Sequence, residues 1–262
     1  MTAWFRVMTY NVRYDNPDDG AHAWPNRRRS VAGTIRFHDP ALVGLQEPLD
    51  HQLDDLKDDL SGFAWVGRPR VDGDREGEYT PIGYRTDRFT LKDHDTFWLS
   101  ETPDDAGTLG WDARHPRIVT WARLEEATTG TTFLHANTHF SHDGRTARLE
   151  SARLALDRLG EIADGAPIVT TGDFNAAVDD PAYDVLLDGP LDNAIDRSRH
   201  PHHGPRTSVS DFERLVPNRK IDHVFVTEDV DVRQHGVCSD LRSETAYPSD
   251  HLPVVAECRV PE

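Results

Sequence analysis

The 262-residue sequence predicts one α/β domain, residues 1–262, built on mixed rather than all-parallel β-sheets. Three observations carry that reading. Strand-like and helix-like patterns alternate with hairpins mixed in, residues 63–140 are almost continuously β-rich, and no repeat or low-complexity linker divides the sequence. A single domain of this length buries roughly three quarters of its unfolded surface, so a large core is available.

In chain order, "WFRVMTYNV" alternates as a strand that starts almost at the initiator Met. "NRRRSVAGTIRFHD" places Val31, Ile35 and Arg36 at helical spacing after an Asn26 cap. "ALVGLQEP" is a short apolar strand ending in Gln46-Glu47, and "DHQLDDLKDDL" puts Leu53, Leu56 and Leu60 on one face of a helix. "FAWVG", "TPIGYR" and "FTLKDHDTFWLS" read as strands, and Thr129-Gly130 turns a hairpin between two further alternating runs. "RTARLESARLALDRLGEIAD" is the clearest helix. "APIVTTGDFN", "RKIDHVFVTE", "VDVRQHGVCS" and "LPVVAECRV" supply the last strands. Long loops remain at 13–25, 68–79, 100–116 and 188–217, and loops of that length in a compact domain are often functional.

Charge narrows the function classes. Asp and Glu total 46 against 29 Lys and Arg, and Lys57, Lys92 and Lys220 are the only lysines. Such a surface repels polyanions and fits a halophilic, high-salt cytoplasm. It disfavours a nucleic-acid partner, which needs a basic stripe to displace counterions. No apolar run reaches the roughly 18 residues of a membrane helix, and the start lacks the pattern of a secretory leader, which points to a cytoplasmic protein. Cys238 and Cys258 have no metal-ligand spacing and read as free thiols. "HPHHG" at 200–204 has the look of a metal cluster but lacks a fourth partner. No G-x-G-x-x-G, P-loop lysine or G-x-S-x-G elbow is present.

The chemistry gathers where strands end. "MTYN" ends in Asn11, "LVGLQE" in Glu47, and "LHANTHF" carries Asn137 and His139. "IVTTGDFN" delivers Asp173 and Asn175, while "KIDHVFV" and "YPSDHLPVV" add Asp222, Asp250 and His251. One Asp after a strand is usually a turn or cap. Five acceptor-rich strand ends without cysteine, the C-terminal pair counted as one, suit a hard cation, Mg²⁺ or Mn²⁺, and the phosphate oxygens such a cation binds.

This ordered set resembles the endonuclease/exonuclease/phosphatase superfamily, the DNase I-like group, along essentially the whole chain. The motifs are Asn11, "QE" at 46–47, "THF" at 138–140, "GDFN" at 172–175, "IDHVFV" at 221–226 and "SDHLPV" at 249–254. The resemblance implies a four-layer α/β/β/α sandwich of two packed mixed β-sheets, with the site across their top. It also implies a metal-dependent phosphoester hydrolase, a phosphodiesterase or phosphatase acting on a small or medium-sized phosphorylated substrate.

Residue by residue, the resemblance makes Glu47 the main metal ligand, with Asn11 beside it and Asp250 near the metal or its water. Asp173 would deprotonate the attacking water, and Asn175 would donate to a phosphoryl oxygen. His251, held by Asp222, would bind the phosphate, and His139 would supply a second donor. Some relatives carry an acid two residues after the first Asn; here that position is Arg13, which would face phosphate or substrate instead. Arg13, Arg28, Arg117, His115 and Trp24 are the candidate substrate contacts, with Trp111 at the rim. The competing readings are a DNA or RNA nuclease of the same chemistry, a sphingomyelinase-like lipid hydrolase and a catalytically silent binding protein.

Overall fold

A computed structural model describes residues 4–260. The first strand, expected to start almost at the initiator Met, begins at Phe5. β1 (Phe5–Asn11), β2 (Leu42–Gln46), β3 (Phe63–Val66), β4 (Ile82–Arg85), β11 (Asp231–Val237) and β12 (Val254–Arg259) form one sheet, in the order β11-β12-β1-β2-β4-β3. The second sheet holds β5 (Phe89–Trp98), β6 (Ile118–Glu126), β7 (Thr132–His139), β8 (Ile168–Asp173), β9 (Leu191–Asn193) and β10 (Asp222–Thr227), in the order β5-β6-β7-β8-β10-β9. Both sheets are mixed: β1–β2 and β7–β8 are parallel, and the other pairs are antiparallel.

The period-2 alternation of the strands decides the layers. Val7 on β1 and Val224 and Val226 on β10 point into the core shared by the two sheets. Their neighbours Met8 and Tyr10 point outward, onto Val31 and Ile35 of α1 (Trp24–His38) and Leu56 of α2 (Asp50–Asp59). Phe225 faces outward on the other side, toward α3 (Arg145–Ala163) and α4 (Pro181–Asp188). The result is the expected α/β/β/α sandwich. The sheets meet tightly at Gly44, where an added Cβ would lie 2.1 Å from Thr171 Oγ1 and 2.4 Å from Asn137 Oδ1. Gln46 Nε2 donates to Asn137 Oδ1 at 2.7 Å across this seam, and Thr171 Oγ1 donates to the same Asn137 oxygen at 3.0 Å.

The element boundaries differ from the sequence reading in three places. α1 begins at Trp24, with Pro25 in its first turn and Ala23 at the cap; Asn26 is already helical. The 13–25 loop contains a 3-10 turn over Pro17–His22. Three elements were not expected: α4, capped by Asp180, and β9 with α5 (Ala194–Arg197) inside the 188–217 loop. The Thr129-Gly130 hairpin forms as expected, with Glu125 opposite Thr132. Both cysteines are free. No helix among the described residues is long and apolar enough to cross a membrane.

Candidate active site

Strand direction brings the polar strand ends to one edge. Asn11 pairs in register with Gln46, His139 with Asp173, and Asp173 with Asp222. β12 runs antiparallel to β1, so the Ser249–His251 segment before it arrives at the same edge. A cleft of about 590 Å³ opens there, lined by Glu47, His139, Asp173, Asn175, Asp250 and His251.

Asn11 joins the two sheets. Its Nδ2 donates to Glu47 Oε1 at 2.9 Å and to Asp173 Oδ2 at 3.0 Å, and its Oδ1 accepts the Arg13 N–H at 3.0 Å. Asn11 therefore sits as a donor bridging two acids, with its oxygen engaged by the Arg13 backbone N–H. Glu47 Oε2 accepts the Tyr14 N–H at 3.0 Å. Burial works against its charge, but the bonds from Asn11 and Tyr14 and the nearby His251 and Arg13 hold the carboxyl below its ordinary range. Glu47, Arg13 and Asn175 all have left-handed backbone, with φ of 74°, 58° and 48°. Three non-glycine residues in that region around one cleft mark strain stored at the site.

His251 lies between two acids. Its Nδ1 meets Asp222 Oδ2 at 2.8 Å and its Nε2 stands 3.8 Å from Asp173 Oδ2. Burial disfavours the charged ring, yet the two carboxylates lift it well above the usual histidine range. Asp173 is pushed up to about 7 by burial and by the charge of Asp222. Ser208 Oγ donates to Asp222 Oδ2 at 2.6 Å and fixes that carboxylate. Asn175 N–H donates to Asp173 Oδ1 at 3.0 Å, and its Nδ2 donates to Phe140 O, which leaves one side-chain hydrogen for another acceptor. Burial raises Asp250, whose Oδ2 is 3.9 Å from Arg13 Nη1.

The far wall is cationic. Arg117, only 4% exposed, donates from Nη2 to His142 Nδ1 at 2.9 Å while its Nε and Nη1 have no protein partner. Arg70 Nη2 holds Glu78 Oε1 at 2.7 Å. Burial and the charge of Glu47 push Glu78 up to about 7. His139 spans the two groups, with Nε2 at 3.5 Å from Asp173 Oδ2 and Nδ1 at 3.9 Å from Glu78 Oε2. Burial together with Arg117 and Arg70 holds His139 well below the usual histidine range, so its ring is neutral.

Of the expected substrate contacts, Arg13, His115 and Arg117 line the cleft. Arg13 is partly engaged, since Asp19 takes its guanidinium in two hydrogen bonds. Arg28 and Trp24 do not reach the cleft. Arg28 pairs with Asp55 at 2.5 Å and Asp59 at 2.7 Å between α1 and α2. Trp24 is buried in the outer core with its Nε1 donating to Asp55. Trp111 does not line the cleft either. Sequence reasoning missed Tyr14, Arg70, Glu78, His142 and Arg219 on the wall, and Ser208 behind it. The length of the 68–79 loop was the one signal for Arg70 and Glu78.

Acids, amides and histidines set at one edge of two face-to-face mixed sheets define the class of DNase I-like phosphoesterases. The chain belongs to the Endonuclease/Exonuclease/phosphatase family, whose family model matches residues 8–251. It is similar to a solved endonuclease/exonuclease/phosphatase from Bacteroides vulgatus, at 36% identity and a TM-score of 0.94, covering 99% of this chain and 100% of that one. It is equally similar in sequence to a mannosyl-6-phosphatase from Bacteroides thetaiotaomicron, at 36% identity and a TM-score of 0.91, covering 97% of this chain and 99% of that one. Nocturnin of Drosophila melanogaster is 24% identical over 286 residues, covering 90% of this chain and 42% of that protein. The chain spans less than half the length of the curated relatives it matches.

Proposed function

We propose that the protein is a divalent-metal-dependent phosphatase acting on small phosphorylated compounds, with sugar phosphate monoesters as the first class to test. The observation that carries this reading is the Asn11 bridge, which ties an ionised carboxylate, Glu47, to a candidate base, Asp173, across the two sheets. The full-length likeness to a mannosyl-6-phosphatase supports the substrate class.

The donor set fits a hard cation: Glu47 and Asp250 offer carboxylate oxygens, and no cysteine lines the cleft. Glu47 and Asp250 would hold Mg²⁺ or Mn²⁺, with Asn11 orienting Glu47. When bound, the ion supplies charge neutralisation on the phosphate and at the leaving oxygen. Asp173, held by the Asn11 side chain and the Asn175 N–H, takes the proton of the attacking water. Protonated His251, fixed by Asp222, donates from Nε2 to a phosphoryl oxygen, and Asn175 supplies a second fixed donor. His139 adds a neutral donor. Arg117, a buried guanidinium on the cleft wall, adds positive potential where the substrate carries negative charge. A formal charge of −17 disfavours long polyanions, so nucleic acid ranks second.

The test is hydrolysis of mannose 6-phosphate, of a generic monoester and of a generic diester by purified protein in molar KCl. Mg²⁺, Mn²⁺ and EDTA are compared, with Asp173→Asn alongside. Metal-dependent monoester turnover that drops about 10²- to 10⁴-fold in the variant supports the proposal. Turnover of the diester alone, or turnover indifferent to EDTA, overturns it.

A further inference from the structure

At the opposite end of the first sheet, a second cavity of about 270 Å³ is lined by Arg6, His38, His203 and Cys238, among others. Arg6 and Asn11 are five residues apart on β1, which places this cavity roughly 16 Å along the strand from the cleft. Here His38, at the end of α1, uses both ring nitrogens. Its Nε2 meets Asp240 Oδ2 at 2.7 Å, and its Nδ1 faces Cys238 Sγ at 3.6 Å. The three groups lie within 4.8 Å of one another.

We propose that Cys238 Sγ and His38 Nδ1 are two ligands of a binding site for a thiophilic divalent cation such as Zn²⁺. The distances are those such an ion requires. A Zn–S bond of about 2.3 Å and a Zn–N bond of about 2.05 Å, at a tetrahedral angle, set S and N about 3.6 Å apart. Asp240 stands where an orienting carboxylate belongs, on the ring nitrogen that does not face the metal. It fixes the proton on Nε2 and so leaves the Nδ1 lone pair directed at the thiol. The remaining coordination positions open into the cavity, where His200 and His203 of the "HPHHG" stretch form part of the wall. Binding sends the Cys238 proton to solvent. It also clamps the C-terminal end of α1 to the segment after β11. His235 also lines this cavity, with its Nδ1 turned to His202 Nδ1 at 3.0 Å.

This site is independent of the phosphatase reading, and its test uses a signal that only thiolate coordination gives. Reduced, chelator-stripped protein is titrated with Co²⁺ in excess Mg²⁺, and the sulfur-to-cobalt charge-transfer absorption is followed. The expected result is a band that saturates at one equivalent, is displaced by Zn²⁺, persists in Glu47→Gln and is lost in Cys238→Ser. Asp240→Asn should weaken Co²⁺ binding about 10- to 100-fold. Absence of the band in natively folded wild type, or its survival in Cys238→Ser, overturns the proposal. A wild-type circular dichroism spectrum of Cys238→Ser keeps the comparison valid.

Discussion

Asp173 and Asp222 are directly paired residues of adjacent antiparallel strands, two carboxylates on one rung of the β8–β10 ladder. Like charges directly opposite on a sheet destabilise it. His251 enters between them, 2.8 Å from one and 3.8 Å from the other, and turns the repulsion into a shared cation site. The same geometry accounts for the raised His251 and for an Asp173 that reaches about 7.

Asp222→Asn removes the closest of these charges. The folded-state value of His251 lies above its unfolded value, so the pairing stabilises the fold below the unfolded pKa and loses that contribution as pH rises through the folded one. In the variant the alkaline limb of kcat/KM should move to lower pH by about one unit or more. An unmoved limb would show that His251 is not the group that titrates.

Arg117→Met should trade function for stability. Burial lowers the Arg117 guanidinium, and two of its nitrogens lack partners, so an apolar chain of similar length suits the unliganded fold better. Thermal stability without substrate should rise by about 0.5–2 kcal/mol. Loss of a charge-assisted contact should cut kcat/KM about 10-fold or more. A drop in both quantities would place Arg117 among structural groups.

Glu78 is an acid raised to about 7 by burial and Glu47. A raised carboxyl favours the fold while protonated, and that contribution fades as pH climbs from about 4.3 toward 7. Glu78→Gln keeps the neutral form at every pH. Its Tm minus that of wild type, in chelator, should therefore increase between pH 4.5 and 8, each kcal/mol appearing as about 2–4 °C. Differential scanning fluorimetry across that range decides it, and a falling difference would contradict the assignment.

Gly44→Ala tests the seam between the sheets. A Cβ 2.1 Å from Thr171 Oγ1 has no room unless a buried hydrogen-bonded side chain moves. Chemical denaturation should show a loss of about 1–3 kcal/mol. The further variant Gly44→Ala/Thr171→Ser keeps the hydroxyl and should regain little.

Much of the fold was legible because its signals are local. Alternation along β1, the leucine stripe of α2 and the glycine turn after β6 each lie within a dozen residues. The start of α1 was misplaced because Asn26 offered a cap, while packing of Trp24 and the Pro25 first turn set the true boundary. β9, three residues long, is too short to show a period, and its pairing with β10 creates it.

The sequence by itself determined the α/β class and the strand-end residues Asn11, Glu47, His139, Asp173, Asn175, Asp222, Asp250 and His251. A motif fixed to the end of a strand travels with that strand to the sheet edge. Only the tertiary structure decided that Asn11 bridges two acids, that Arg28 serves a helix–helix pair and that Arg70, Glu78 and His142 wall the cleft. It also set Cys238, His38 and Asp240 together. Those relationships join segments tens to hundreds of residues apart, and long-range packing, which leaves no period in the chain, brings them within hydrogen-bond reach.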